Sequence, residues 1–217
     1  MRLHDPRHLL VIFALAAVAL ATGCATPQIH GATQALALNL KDGALQKGGL
    51  AFVTPSSVTG QEEDKQALAL VFAEVIRQER PGTHIVALPE ALSAINRSGL
   101  TGDYRRMLED YRLTGIFDRD VLTRVGTVTG ARYIAQLKLA GFRQDSSNRW
   151  SLLGLRIVDT RSTTLRLFIQ IWDSQDGSIA WEGSDELTSA RDYLEERTVT
   201  FRSAVAESAR RLVLQLP

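Results

Sequence analysis

The sequence predicts an α/β (α+β) domain with a single mixed, largely antiparallel sheet and helices packed on it. Three observations carry this: a strand-helix-strand opening, a change to period-two hydrophobicity beyond Gly130, and a closing amphipathic helix. Leu50-Ala51-Phe52-Val53 is a short apolar run between Gly48-Gly49 and Pro55, as a buried strand requires. Thr59 and Glu62 have capping-box spacing, and Leu68, Val71, Phe72, Val75 and Ile76 follow at helical intervals until Pro81-Gly82. His84 to Leu88 reads as a second strand, and Pro89 as the first residue of a helix reaching about Arg97. Asp103 is placed to cap a helix carrying Tyr104, Met107, Leu108 and Tyr111. Asp118 can cap one carrying Val121, Leu122, Val125 and Val128.

Past Gly130 the alternation predicts strands at Arg132 to Phe142, Trp150 to Asp159, Thr164 to Trp172 and Ser178 to Leu187, with Asp176-Gly177 as a tight turn. Leu165, Leu167, Ile169 and Ile171 share one face of the third of these, and Arg166, Phe168, Gln170 and Trp172 the other. The stripe Phe201, Val205, Ala209, Leu212, Val213 and Leu216 predicts a final helix packed on the sheet.

Ahead of this domain stands a leader. Arg2 and Arg7 precede an unbroken apolar run from Leu9 to Ala21, which ends in Thr22-Gly23-Cys24. The run is shorter than the roughly 20 residues a membrane-spanning helix needs, so removal as a signal peptide is expected. Cys24 is the only cysteine, and an exported chain with one thiol cannot close an internal disulfide. Ala21-Thr22-Gly23-Cys24 resembles the lipobox of bacterial lipoproteins. The resemblance implies cleavage between Gly23 and Cys24 and covalent lipid on Cys24, and Ala25 resembles the residue of outer-membrane-sorted members. The predicted organisation is a signal peptide over 1–23, a lipidated N-terminus and tether over 24–47, and a periplasmic α/β domain over 48–217. Ala25 to Lys47 mixes small and polar residues around a brief alternation at Leu36, Leu38 and Leu40, so it reads mostly as linker. As a coil it would span about 25 Å, and about 75 Å if pulled straight.

Composition excludes several functions. Removing residues 1–23 takes away two of 25 basic and one of 24 acidic side chains, leaving a neutral domain with no electrostatic case for nucleic acid. Of four histidines, His30 and His84 remain, without a nearby Cys or His partner, so no metal site is expected. No Gly-x-Ser-x-Gly elbow or phosphate-binding loop occurs. Glu62-Glu63-Asp64, Asp118/Asp120, Asp185-Glu186 and Glu195-Glu196 read as capping or solvated carboxylates rather than general acids and bases. Asp173 to Asp176 lacks the ligand spacing of a calcium loop. Phe168 and Trp172, with Trp150 and Trp181 nearby in the strand order, are the candidate partner surface; helices covering both sheet faces would instead make them core.

The order of elements, with Gly130-Ala131-Arg132-Tyr133 entering a strand and Asp173 to Trp181 forming a hairpin, resembles the curli-secretion lipoprotein superfamily. That group comprises CsgG-like secretion lipoproteins, LpoB-type activators of penicillin-binding proteins and the TolB amino-terminal domain. Arg132 stands where Asp is usual and Asp176 where Thr is usual. The resemblance implies a CsgG/TolB-N-like fold used for protein contacts or assembly, with no catalytic residues to transfer and no cofactor beyond the lipid. The expected function is a non-catalytic protein-binding adaptor or regulator, lipid-anchored on the periplasmic face of the outer membrane, with an envelope protein as partner. An oligomeric CsgG-like secretion-channel subunit is the alternative, and a lipid-anchored hydrolase is the control.

Overall fold

A computed structural model describes residues 28–152, 155–192 and 200–217, with side chains at 31–143, 163–188 and 200–217. Gly23, Cys24, Glu195 and Glu196, and the side chain of His30, lie outside it. In chain order the elements are β1 (Gln28–Ala37), α1 (Ala44–Gly48), β2 (Leu50–Phe52), β3 (Ser56–Ser57), α2 (Glu62–Glu79), β4 (Ile85–Val86) and α3 (Leu88–Arg97). They continue with α4 (Thr101–Thr114), α5 (Arg119–Thr129), β5 (Tyr133–Leu152), β6 (Leu155–Asp173), β7 (Ile179–Asp192) and α6 (Phe201–Val213). The seven strands form one sheet in the order β1-β7-β6-β5-β2-β4, with β3 also on β5. Pairing is antiparallel from β1 to β5 and parallel for β2, β3 and β4. The predicted fold class, a mixed and mostly antiparallel sheet with helices packed on it, is what the chain forms.

Alternation decides which residues enter which core, because successive side chains leave a strand on opposite faces. Leu50, Phe52, Leu137, Leu167, Ile169 and Trp181 join α2 and α6 in one buried cluster. Ala51, Val53, Ile134 and Trp172 join α3, α4 and α5 in a second on the other face. The apolar row Leu165, Leu167, Ile169 and Ile171 lies wholly in the first core, as its spacing required. The sheet is thus covered by helices on both faces.

The strands are longer than the alternation indicated. Trp150 to Asp159 is not a strand of its own: β5 runs to Leu152, β6 begins at Leu155, and the two residues pair with each other. The polar stretch from Arg143 to Arg149 read as a break, yet Arg143 to Asn148 pair in register with β6 and the ladder there is irregular only at Arg149, since a ladder needs partners more than apolar side chains. The stretch expected to be mostly linker also differs. Gln28–Ala37 pairs along its whole length with β7, and Leu40 and Leu45 are buried. Leu36 and Leu38 are exposed, so the alternation there marks an edge strand held by its backbone rather than by burial.

Two capping expectations fail for local reasons. Gln61 is the N-cap of α2, while the Thr59 hydroxyl donates to Asp64 (2.7 Å) and makes no capping box with Glu62. α4 starts at Thr101, which puts Asp103 inside its first turn, where the carboxylate pairs with Arg106 and with Arg124 (2.7 Å). Asp118 does cap α5, accepting the Val121 N–H at 2.9 Å. Thr200 caps α6 through the Ser203 N–H.

A candidate binding groove

At the end of the sheet where β5 begins and β6 stops, an open groove of about 760 Å³ lies between α1, α5, the entry to β5 and the β6–β7 turn. Its size falls within the usual range for ligand sites. The entry to β5, Gly130 to Tyr133, and the β6–β7 hairpin from Asp173 build it together. The Arg132 N–H donates to the Gly48 carbonyl (2.7 Å), the Tyr133 N–H to that of Gly49 (3.2 Å), and the Ser174 N–H to that of Arg132 (2.9 Å). The Thr123 hydroxyl of α5 donates to the Ser174 carbonyl at 2.6 Å. Gly126 permits this approach, since a Cβ there would stand 2.2 Å from the Ser174 Oγ.

Arg132 closes the wall electrostatically. Its Nη2 donates to Asp173 Oδ2 at 2.6 Å and its Nε to the same oxygen at 3.0 Å, while Asp173 Oδ1 accepts the Gln175 N–H at 3.0 Å. The hydrogen bond to Asp173 raises the Arg132 pKa further, so the guanidinium stays charged. It also sits 5.3 Å from the Tyr133 ring centroid, a cation–π distance. Burial pushes the Tyr133 hydroxyl upward from its ordinary value. Arg132 therefore pairs with the first Asp of the β6–β7 hairpin.

The remaining lining mixes the polar side chains of Lys41, Asp42, Lys47, Thr127, Asn39 and Gln175 with Ala44 and Ala131. Lysine and arginine can hold carboxylates, and the hydroxyls and amides can take backbone groups of a docked chain. The lining contains no histidine or cysteine. Among the described residues no group of three or more His, Cys, Asp or Glu could hold a metal ion.

The sequence candidates scatter. His84 is exposed at the entry to β4, and His30 lies in β1. Glu62, Glu63 and Asp64 occupy the first turn of α2, where the helix dipole favours them. Trp172 is 3% exposed and packs edge-on against Phe117 (5.1 Å) and Tyr111 (6.4 Å), so it is core and leaves the accessible partner surface. Phe168 is half-buried, level with Lys138 and Ser184. Tyr111 donates to Gln170 (2.9 Å), and burial, with the Glu182 charge second, pushes its pKa to about 12.

Asp185 was expected to be solvated and is instead fully buried. Its Oδ1 accepts the Thr33 hydroxyl and its Oδ2 the Ser208 hydroxyl, both at 2.6 Å, and Arg211 Nε lies 3.2 Å away. Arg211 donates in turn to Thr33 Oγ1 (2.9 Å) and crosses Gly31, where a Cβ would fall 1.8 Å from its Nη1. This cluster fastens β1 to β7 and α6. The signal for it was Ser208 on the apolar stripe of α6, a polar residue at a core position.

No model of a known protein family matches the chain, and no curated protein sequence does. Among solved structures it is similar to the PelC dodecamer from Paraburkholderia phytofirmans, at TM-score 0.47 and 12% identity over 87% of this chain and 99% of that one. Lipoprotein GNA1162 from Neisseria meningitidis aligns at TM-score 0.40 and 11% identity over 77% and 99%. Protein XCC0632 from Xanthomonas campestris aligns at 0.35 and 12% over 78% and 81%.

Proposed function

We propose that this chain is a non-catalytic envelope lipoprotein, held by lipid on Cys24 at the periplasmic face of the outer membrane, that binds another envelope protein through the groove around Arg132. Its resemblance to the curli-secretion superfamily supports this reading. The observation that carries it is the groove, an open cleft of mixed polar and apolar lining built from four separate segments. The leader and Cys24 supply the address. Anchoring by several acyl chains is stable because each buried methylene contributes about 0.8 kcal/mol.

A photo-crosslinking residue at Thr127, used in intact cells, tests the binding role. One envelope protein captured from Thr127, and released when Arg132→Glu reverses the charge of the wall, is the expected result. Equal capture in both backgrounds, or none, contradicts it. A second reading, a secretion-channel subunit, draws on the length of β5 and β6, which run 20 and 19 residues. Dye leakage from vesicles carrying the purified protein separates the two.

A further inference from the structure

The sheet ends differently at its two edges. On one side stands β4, Ile85–Val86, too short to be a template for a further strand. On the other stands β1, Gln28–Ala37, whose ten residues pair with β7 in consecutive rows without a bulge. Among the described residues no strand pairs with its outer side. Brevity, bulges, proline and charge are the devices that keep an edge from accepting another strand. β1 has none of them, and no Lys, Arg, Asp, Glu or Pro occurs from Gln28 to Leu40.

The strand is held firmly from behind and left open in front. Thr33 is half-buried and bonded to Asp185 and Arg211, which fixes β1 against α6. Gly31, Ala32, Gln34, Ala35, Leu36 and Ala37 are exposed, Leu36 by 52%. The β7 charges level with Thr33 and Ala32 are already paired, Asp185 with Arg211 and Glu186 with Arg166. No uncompensated charge therefore stands beside this part of the edge.

A two-fold axis perpendicular to the sheet, passing through Ala32 or Thr33, lays β1 antiparallel on itself over nearly its whole length and closes after two copies. Such a ladder makes about eight to ten backbone hydrogen bonds, against about ten direct ones in a typical protein interface. Any charge on the strand would then face a like charge of the other copy. An edge shaped for a different protein's charged segment gains from charges of its own, whereas one that faces itself has to lack them. With the axis at Thr33, Ala32 lies opposite Gln34 and Gly31 opposite Ala35, so no two bulky side chains compete for these rows.

We propose that β1 is a dimerisation edge, pairing antiparallel with β1 of a second copy of this chain so that the two sheets continue as one. The pairing depends on concentration, because both edges are solvated in the separate chains. It is independent of what the groove around Arg132 binds.

The test uses full-length protein purified from membranes, with chains of light and heavy nitrogen isotope mixed and allowed to exchange. A photo-crosslinking residue at Leu36 should join light chains to heavy ones, and the crosslinked peptide should contain residues 28–31 of the second copy. Native mass spectrometry should show dimers that dissociate on dilution. Ala32→Lys combined with Gln34→Lys sets lysine opposite lysine for either axis, while both positions are exposed in the single chain. This double variant should keep its circular dichroism spectrum and dimerise more weakly by roughly tenfold or more. Monomers alone, rings of three or more copies, a crosslink that maps away from β1, or dimers indifferent to the two lysines overturn the proposal. Should the double variant not fold, the mapped crosslink and the mass of the chain without the lysines decide.

Discussion

Replacing Asp185 with alanine probes how the N-terminal strand is held. The carboxylate satisfies the hydroxyls of Thr33 and Ser208 and faces Arg211, whose side chain is 22% exposed while that of Asp185 is fully buried. Breaking a fully buried ion pair costs about 3–5 kcal/mol, and leaving a buried hydroxyl unpaired about 1–3 kcal/mol. Arg211 keeps its bonds to Thr33 and some access to water, so the pair contributes at the low end. A total loss of about 3 kcal/mol is expected, a large share of the roughly 5–15 kcal/mol of a typical domain. With a urea slope of about 1–3 kcal/mol per molar, the unfolding midpoint falls by about 1–3 M. Hydrogen exchange should show the backbone amides of β1 opening first, because most β1 side chains described are exposed and the cluster is its main side-chain attachment. A loss under about 1 kcal/mol, or unchanged protection in β1, would refute the reasoning.

Gly126→Ala should drive α5 from the β6–β7 turn at a cost of about 1–3 kcal/mol, and Ser174→Gly should recover most of it in thermal unfolding. Arg132→Ala leaves Asp173, 8% exposed, without its cation; because Arg132 itself is 44% exposed, a loss of about 1 kcal/mol in denaturant titration is expected. Tyr111 keeps its proton in the folded chain to about pH 12, whereas unfolded tyrosine loses it near pH 10. Its contribution is thus full below about pH 10 and is lost as the pH rises toward 12. Tyr111→Phe should flatten that stretch of the stability profile, read by urea titration across it.

Much of the fold was legible because apolar period and punctuation agreed. Leu68 to Ile76, Pro81-Gly82 and the row Leu165 to Ile171 set helix, stop and strand unaided. β1 was not legible, since a strand whose side chains are mostly exposed carries no hydrophobic signature and is specified by backbone pairing with β7, distant in sequence. The same holds for the polar stretch from Arg143 to Asn148, whose residues pair as a ladder with β6. The groove was half legible. Gly130 to Tyr133 and Asp173 to Trp181 were marked as motifs, but only the fold shows that Arg132 and Asp173 meet. Trp172 could be assigned to core or surface only after α4 and α5 were seen to cover that face.

The lipid anchor is decided at the first residues of the mature chain, and intact mass with N-terminal peptide sequencing of membrane-extracted protein tests it most directly. A peptide beginning at Cys24 and heavier by a diacylglyceryl group is the expected result. A chain retaining residues 1–23, or one with a free thiol at Cys24, would contradict it.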